Sequence, residues 1–368
     1  RRIALAALVS LSLLGSPSPR AHAQQVRVAS TAATLTIIAS PVEHVRSGTD
    51  VRRAAVDGMN LAEGDRVVTA PRAIALVTFL DGSTVTVQPD SDVVIARAEV
   101  ATPESASLRI LIRAGKVWAR VARLLGRRST ISLESNEYAA TARDGLIGAE
   151  QAADGTFVCW TRAGEVTVAG RDGRKLAGLV PGQKATINPK DRTSAVEPFR
   201  VHASSLEIET SFNALSLLQV PAGGAAAGFV PPGIEVNQVF GSRTEGHDAA
   251  WWLDVPAGDA GVYTLVLTGL ADGPFSVSVT GAVNGAPVYR RRLNGTIARG
   301  QQFVVQLEPG FDDGADATGR AGGPNHNPRT ARVAAARISP LSPLAAPLPV
   351  TVVVSPFERA RLERGAAR

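Results

Sequence analysis

The sequence predicts an all-β protein made of two strand-rich units, on three observations. From Leu35 onward apolar and polar residues alternate with a period of two, the pattern of strands that bury one face. Gly, Asp and Asn interrupt these runs at the spacing of short strands joined by tight turns. No long segment repeats its apolar residues at the helical period. The 368 residues leave room for about two domains. With 45% hydrophobic and 20% charged residues the chain can bury cores, and its 35 Gly and 23 Pro are too few for a collagen-like or low-complexity chain.

Residues 1–23 read as a secretory signal. Arg1-Arg2 form a basic start, Ile3 to Leu14 is an apolar run, and Ala21-His22-Ala23 is a small-x-small cleavage pattern that predicts Gln24 as the mature N-terminus. The apolar run falls short of the roughly 20 residues of a spanning helix, so no transmembrane span is expected there. The protein is therefore expected in the periplasm or outside the cell.

Residues 35–195 read as the first β unit. Ile74 to Leu80 and Thr84 to Val87 flank Asp81-Gly82-Ser83, a strong hairpin signal because Asp and Gly suit the positive φ of a tight turn. In Lys116 to Val121, Val117, Ala119 and Val121 share one face and Lys116, Trp118 and Arg120 the other. Phe157 to Thr161, Gly164 to Val168 and Lys184 to Ile187 continue the series.

Residues 196–229 read as a linker with a short helix. Leu206, Phe212, Leu215 and Leu218 recur partly at helical spacing, and Pro221 to Gly228 is rich in Gly and Ala. Residues 230–310 read as a β-sandwich of immunoglobulin-like type, with strands around Trp251-Trp252, Tyr263, Phe275, Tyr289 and Phe303 and turns at Asp272-Gly273 and Asn284-Gly285. Residues 311–368 read as a flexible tail, since Pro343, Pro347 and Pro349 bar the apolar run Leu341 to Val354 from forming a membrane helix.

The formal charge of +6 is concentrated at the ends. The first 23 residues hold three Arg and no acid, Arg329–Arg368 holds seven Arg and two Glu, and residues 24–328 carry −2. A nucleic-acid binder needs a basic face on its folded part, so no nucleic-acid partner is expected.

The first unit resembles the FecR domain family. The resemblance rests on Leu61-Ala62-Glu63-Gly64-Asp65-Arg66-Val67-Val68-Thr69, on Ala73 to Val85 with its strand ending in Asp-Gly-Ser, on Gly115-Lys116-Val117-Trp118, on Ala163 to Val168, and on Pro181-Gly182-Gln183-Lys184-Ala185. It covers about residues 40–190. One departure is Gly148-Ala149-Glu150, where the family commonly has Gly-Thr-x-Phe; Phe157 comes later. The resemblance implies a non-enzymatic module of extracytoplasmic sensing. Its best-known members are single-span regulators that join a sigma factor to an outer-membrane transporter. This chain looks instead like the secreted members, without a sigma-factor-regulating segment. The expected partner is another envelope protein, bound through sheet edges and loops.

No catalytic residue, cofactor or metal site is expected. The sequence has neither a Gly-x-Ser-x-Gly nor a P-loop. Its five His are scattered at 22, 44, 202, 247 and 326. Cys159, the single Cys, reads as a buried small hydrophobe. Glu308 with Asp312, Asp313 and Asp316 departs from calcium-loop spacing and reads as a solvated acidic loop. Three tryptophans remain as contact candidates. Trp251 and Trp252 are neighbours on a strand, so one should face the core and the other should face outward, free to stack on a carbohydrate or a partner. Trp118 shares its face with Lys116 and Arg120 and raises the same question. A carbohydrate-binding or surface structural protein is thus the alternative to the sensing module.

Overall fold

The computed structural model describes residues 32–308, apart from 103–104, 123–129, 191–193, 200, 222–223, 248–249 and 258–260, together with 337–338 and 342–343. Among the described residues every regular element is a β-strand, and no helix is long and apolar enough to cross a membrane. The expected signal, the acidic residues after Glu308 and most of the expected tail lie outside the described residues. Two short pieces of that tail, Arg337–Ile338 and Ser342–Pro343, pair with Gln302–Glu308.

The first unit is two β-layers that share one strand, Ser105–Val121. Its first half pairs with Asp92–Thr102 and, in parallel, with Thr130–Glu134. Its second half pairs with Thr84–Val87 and Gly145–Gln151. Gly115 marks the change of layer, with φ +84° and the Asp90 carbonyl oxygen 2.6 Å from where a Cβ would sit, so no other residue fits. One layer continues outward through Ile74–Phe79 and Ala33–Ala39 on one side, and through Phe157–Ala163, Gln183–Ile187 and Ser194–Pro198 on the other. The second continues through Arg66–Thr69, Val42–Val45 and Arg52–Ala54, and through Tyr138–Ala142, Val166–Gly170 and Lys175–Leu179. Val77, Phe79, Val117, Ile147 and Phe157 of the first layer meet Val67, Ile95, Ile110, Leu133 and Val168 of the second in one core. Period-two alternation aims them there.

The second unit is a sandwich of a five-stranded and a seven-stranded sheet. The five-stranded sheet runs Arg243–His247, Ala250–Pro256, Ser204–Ser211, Gly273–Val283, Ala286–Ile297. The facing sheet is centred on Ala214–Gln219 and Tyr263–Gly269. Leu206, Ile208, Leu253, Val277 and Val279 pack against Leu218, Tyr263, Leu265, Val305 and Leu307.

The stretch expected as linker and helix is therefore a correction. Ser204–Ser211 and Ala214–Gln219 are strands, and Phe212-Asn213 is the turn between them. Leu206 and Ile208 point in while Glu207 and Glu209 point out, a period of two. Ala214–Gln219 is apolar on both faces because Leu218 enters the sandwich core and Leu217 a smaller cluster on the other side of the sheet. That doubled pattern imitates helical spacing. The Gly/Ala-rich stretch ends in another strand, Ala226–Val230. There Gly228, at φ +135°, has the Ser216 carbonyl oxygen only 2.2 Å from where a Cβ would sit. Small residues here allow two backbones to approach closely.

The units touch. Ile74–Phe79 is buried at every position. Ala75, Val77 and Phe79 enter the core of the first unit, and Ile74 joins that of the second beside Ile38 and Ala39.

Candidate functional site

The outer face of the first layer carries an aromatic seam. Antiparallel register sets Trp118, Gly148 and Trp160 side by side on three adjacent strands. A Cβ on Gly148 would lie 2.8 Å from the Trp118 ring, so this glycine is what lets two indoles occupy neighbouring strands. Phe240, from the turn before Arg243–His247, enters this row at 5.2 Å from Trp118 and 5.2 Å from Trp160, edge-on to the latter. Phe199 closes the other side, 5.8 Å from Trp160. The Lys116 ammonium lies 4.8 Å from the Phe240 ring centre, where the negative face of the ring attracts it. Around the seam Arg120 stands 3.8 Å from Glu235, and Arg162 pairs with Asp254 across the units.

Trp118 is therefore not an outward contact. It does share its face with Lys116 and Arg120, but the second unit covers that face and leaves Trp118 0% exposed. Its indole N–H is buried without a hydrogen-bond partner, so the ring is held by packing alone.

The two neighbouring tryptophans separate. Trp251 stacks on Phe212 at 5.4 Å and 12°, touches Phe229 at 4.7 Å, and donates from Nε1 to the Phe212 carbonyl at 3.4 Å. Its ring also lies over Gly246 and Gly233, so it is a packed side chain. Trp252 points to the opposite face and lines a groove of about 550 Å³ on the five-stranded sheet. Arg243 lies over this ring at 5.6 Å.

Strand register builds the groove in rows. One row runs Arg243, Asp254, Glu207, Thr280, Arg290; the next runs Glu245, Trp252, Glu209, Ser278, Arg292. The first row has acids in its middle and an arginine at each end, the second has Glu245 at one end and Arg292 at the other, and of the two rows Glu207, Thr280, Arg290, Trp252, Glu209 and Ser278 line the groove. Burial pushes the Glu207 carboxyl above its ordinary range, Asp254 adds to this, and Arg162 opposes it. Burial likewise raises Asp254 despite its pairing with Arg162, and burial lowers Arg243. Arg290 Nε donates to Ser278 Oγ at 2.8 Å and its guanidinium lies 3.9 Å from Glu209. Tyr289, next to Arg290 on its strand, turns to the other face and packs against the sandwich core; its hydroxyl is buried there without a partner, and burial pushes its pKa up to about 12.

Elsewhere the chemistry is that of a scaffold. Cys159 sits in the first core and burial pushes its thiol up to about 12, which keeps it protonated and inert. Among the described residues no group of three His, Cys, Asp or Glu is placed to hold a metal ion.

Residues 65–167 match the family model described as FecR protein. The chain carries a FecR domain. FecR proteins are a regulatory family, and the match spans 103 of this chain's 368 residues. Two crystal structures, at 2.50 Å and 1.65 Å, of a "putative anti-sigma factor" from Parabacteroides distasonis are similar to the chain at 13% identity and a TM-score of 0.31. The similarity covers 36% of this chain and 59% of that one, so this chain spans little more than half the length of the solved protein. The curated proteins gave no match.

Within the FecR domain the quoted motifs are backbone staples. Asp65 accepts from the Ser47 and Ala62 amides at 2.9 and 3.0 Å, and Gly64 supplies φ +84°. Asp81 accepts from the Ser83 amide and hydroxyl, each at 2.9 Å. Sequence reasoning missed Phe240, Phe199 and Glu207. Phe240 had a readable signal, an aromatic beside Gly241 in a turn, where a buried partner is the usual reason for such a residue. Glu207 had none, because only strand register brings it into line with Thr280 and Arg290.

Proposed function

We propose that the protein is a non-enzymatic, extracytoplasmic sensing and interaction module of the cell envelope, in which the FecR domain is carried rigidly on the sandwich. The observation that supports this most directly is the FecR domain itself, docked through the Phe240 seam. A rigid seam lets binding on one unit reposition the other as a body. The partner, another envelope protein, adds to the edge strand Arg52–Ala54, which is exposed at every residue. Val51 and Val56 beside it are 58% and 66% exposed, an apolar border to unpaired backbone groups.

Two measurements test the reading. Mass spectrometry of the protein from its native envelope fraction should give a mature start at Gln24. A photo-reactive residue at Val51 or Val56 should give a discrete adduct with one envelope protein in cells, and the same residue at Val288 should not. Recovery in the cytosol, or equal labelling from all three positions, would count against it.

A further inference from the structure

The groove on the five-stranded sheet lies outside the FecR domain and away from the edge proposed for the protein partner. We propose that it is a binding site for an uncharged saccharide chain, with Trp252 as its stacking platform. The inference stands apart from the signalling reading, and either can fail without the other.

Three features point to a polyhydroxylated ligand. Trp252 is half-exposed and faces the groove, so the apolar face of a sugar ring can lie on it. Glu207, the central acid, makes no hydrogen bond among the described residues and is only partly desolvated, which leaves it as an acceptor for ligand hydroxyls. Arg290 supplies donors at one end, and Thr280 stands between it and Glu207 in the same row.

The alternation of acid, hydroxyl and guanidinium decides between ligand classes. A polyanion would meet Glu207 and Glu209, and a polycation would meet Arg290. A sugar hydroxyl donates to a carboxylate and accepts from a guanidinium with no charge of its own to desolvate. The groove is open along the sheet and holds about 550 Å³, which suits a few sugar units of a chain.

The test uses the full chain with two probes, an unbranched glucose tetrasaccharide and an N-acetylglucosamine tetrasaccharide, followed by NMR and calorimetry. The chain has four tryptophans. The indole N–H signal of Trp252 should shift on titration while those of Trp118, Trp160 and Trp251 stay in place, with a Kd of about 1 mM or tighter for at least one probe. Trp252→Ala should weaken that binding by about tenfold or more with an unchanged Tm. Thr280→Arg, which fills the groove from the other wall, should do the same and carries the test if Trp252→Ala lowers Tm. The proposal is overturned if neither probe binds, if the Trp252 signal stays while another moves, or if both variants bind like the parent. Binding of an oligolysine peptide that shifts Trp252 in place of the sugars would assign the groove to a basic partner and overturn it equally.

Discussion

At Asp81 the carboxylate is buried, and burial pushes it above its ordinary value of 3.8 despite the Ser83 hydrogen bonds. The folded chain therefore holds a proton that the unfolded chain has already lost in the window that opens at 3.8 and ends at the raised value. Its contribution is full below that window and falls as pH rises through it. Asp81→Asn keeps an acceptor for the Ser83 amide and cannot ionise. The stability difference between the two proteins, measured by urea denaturation, should shift toward Asn as pH rises above 3.8, and a pH-independent difference would refute the burial argument. Trp118 gives a second residue-scale expectation. Its N–H is unpartnered, so Trp118→Phe forfeits little beyond volume, whereas Trp118→Ala should cost about 3–5 kcal/mol through the cavity it opens. Cys159, held protonated in the core, should react with iodoacetamide only in denaturant.

Between strands, the test case is Gly148. The three strands around it bring Trp118 and Trp160 to either side, and a Cβ would press on the Trp118 ring at 2.8 Å. Gly148→Val should lower Tm by several degrees for a loss of about 1–3 kcal/mol and shift the near-ultraviolet circular dichroism of the tryptophans. Gly148→Val in a Trp118→Ala background should cost less, because the clash partner is gone. The glycine that Gly148-Ala149-Glu150 shares with the family pattern thus has a steric reason that only strand pairing reveals. The hairpins were readable for a local reason: Asp81-Gly82 and Asn284-Gly285 are turns set by positive φ, here +90° at Gly82 and +54° and +79° at Asn284 and Gly285. Ala214–Gln219 was not readable, because a strand buried on both faces loses its alternation and passes for a helix. The same limit applied to the site. Local alternation placed Trp251 and Trp252 on opposite faces, but nothing local could bring Glu207, Thr280 and Arg290 into line across three strands.

For the whole molecule, the question is whether the units unfold together. Phe240 in its aromatic row, Ile74 in the core of the sandwich, and the Arg162–Asp254 pair all cross the boundary. Ile74 sits on a strand that also helps form the first core, so loosening the boundary loosens that strand. Calorimetry of the parent should therefore show one cooperative transition. Phe240→Asp removes the ring that packs between Trp118 and Trp160 and leaves a carboxylate with Lys116 as its nearby cation; the lost aromatic packing should split the transition into two. The ion pair adds a check with its own sign. Asp254→Asn leaves the Arg162 charge facing a half-closed boundary and should cost about 2 kcal/mol, while Arg162→Met with Asp254→Leu removes both charges and should cost less than either single change. A single transition that survives Phe240→Asp would mean that Ile74 and its neighbours couple the units without the seam. The rigid-carrier reading would then rest on the shared strand Ile74–Phe79, and Ile74→Ser would become the substitution that separates them.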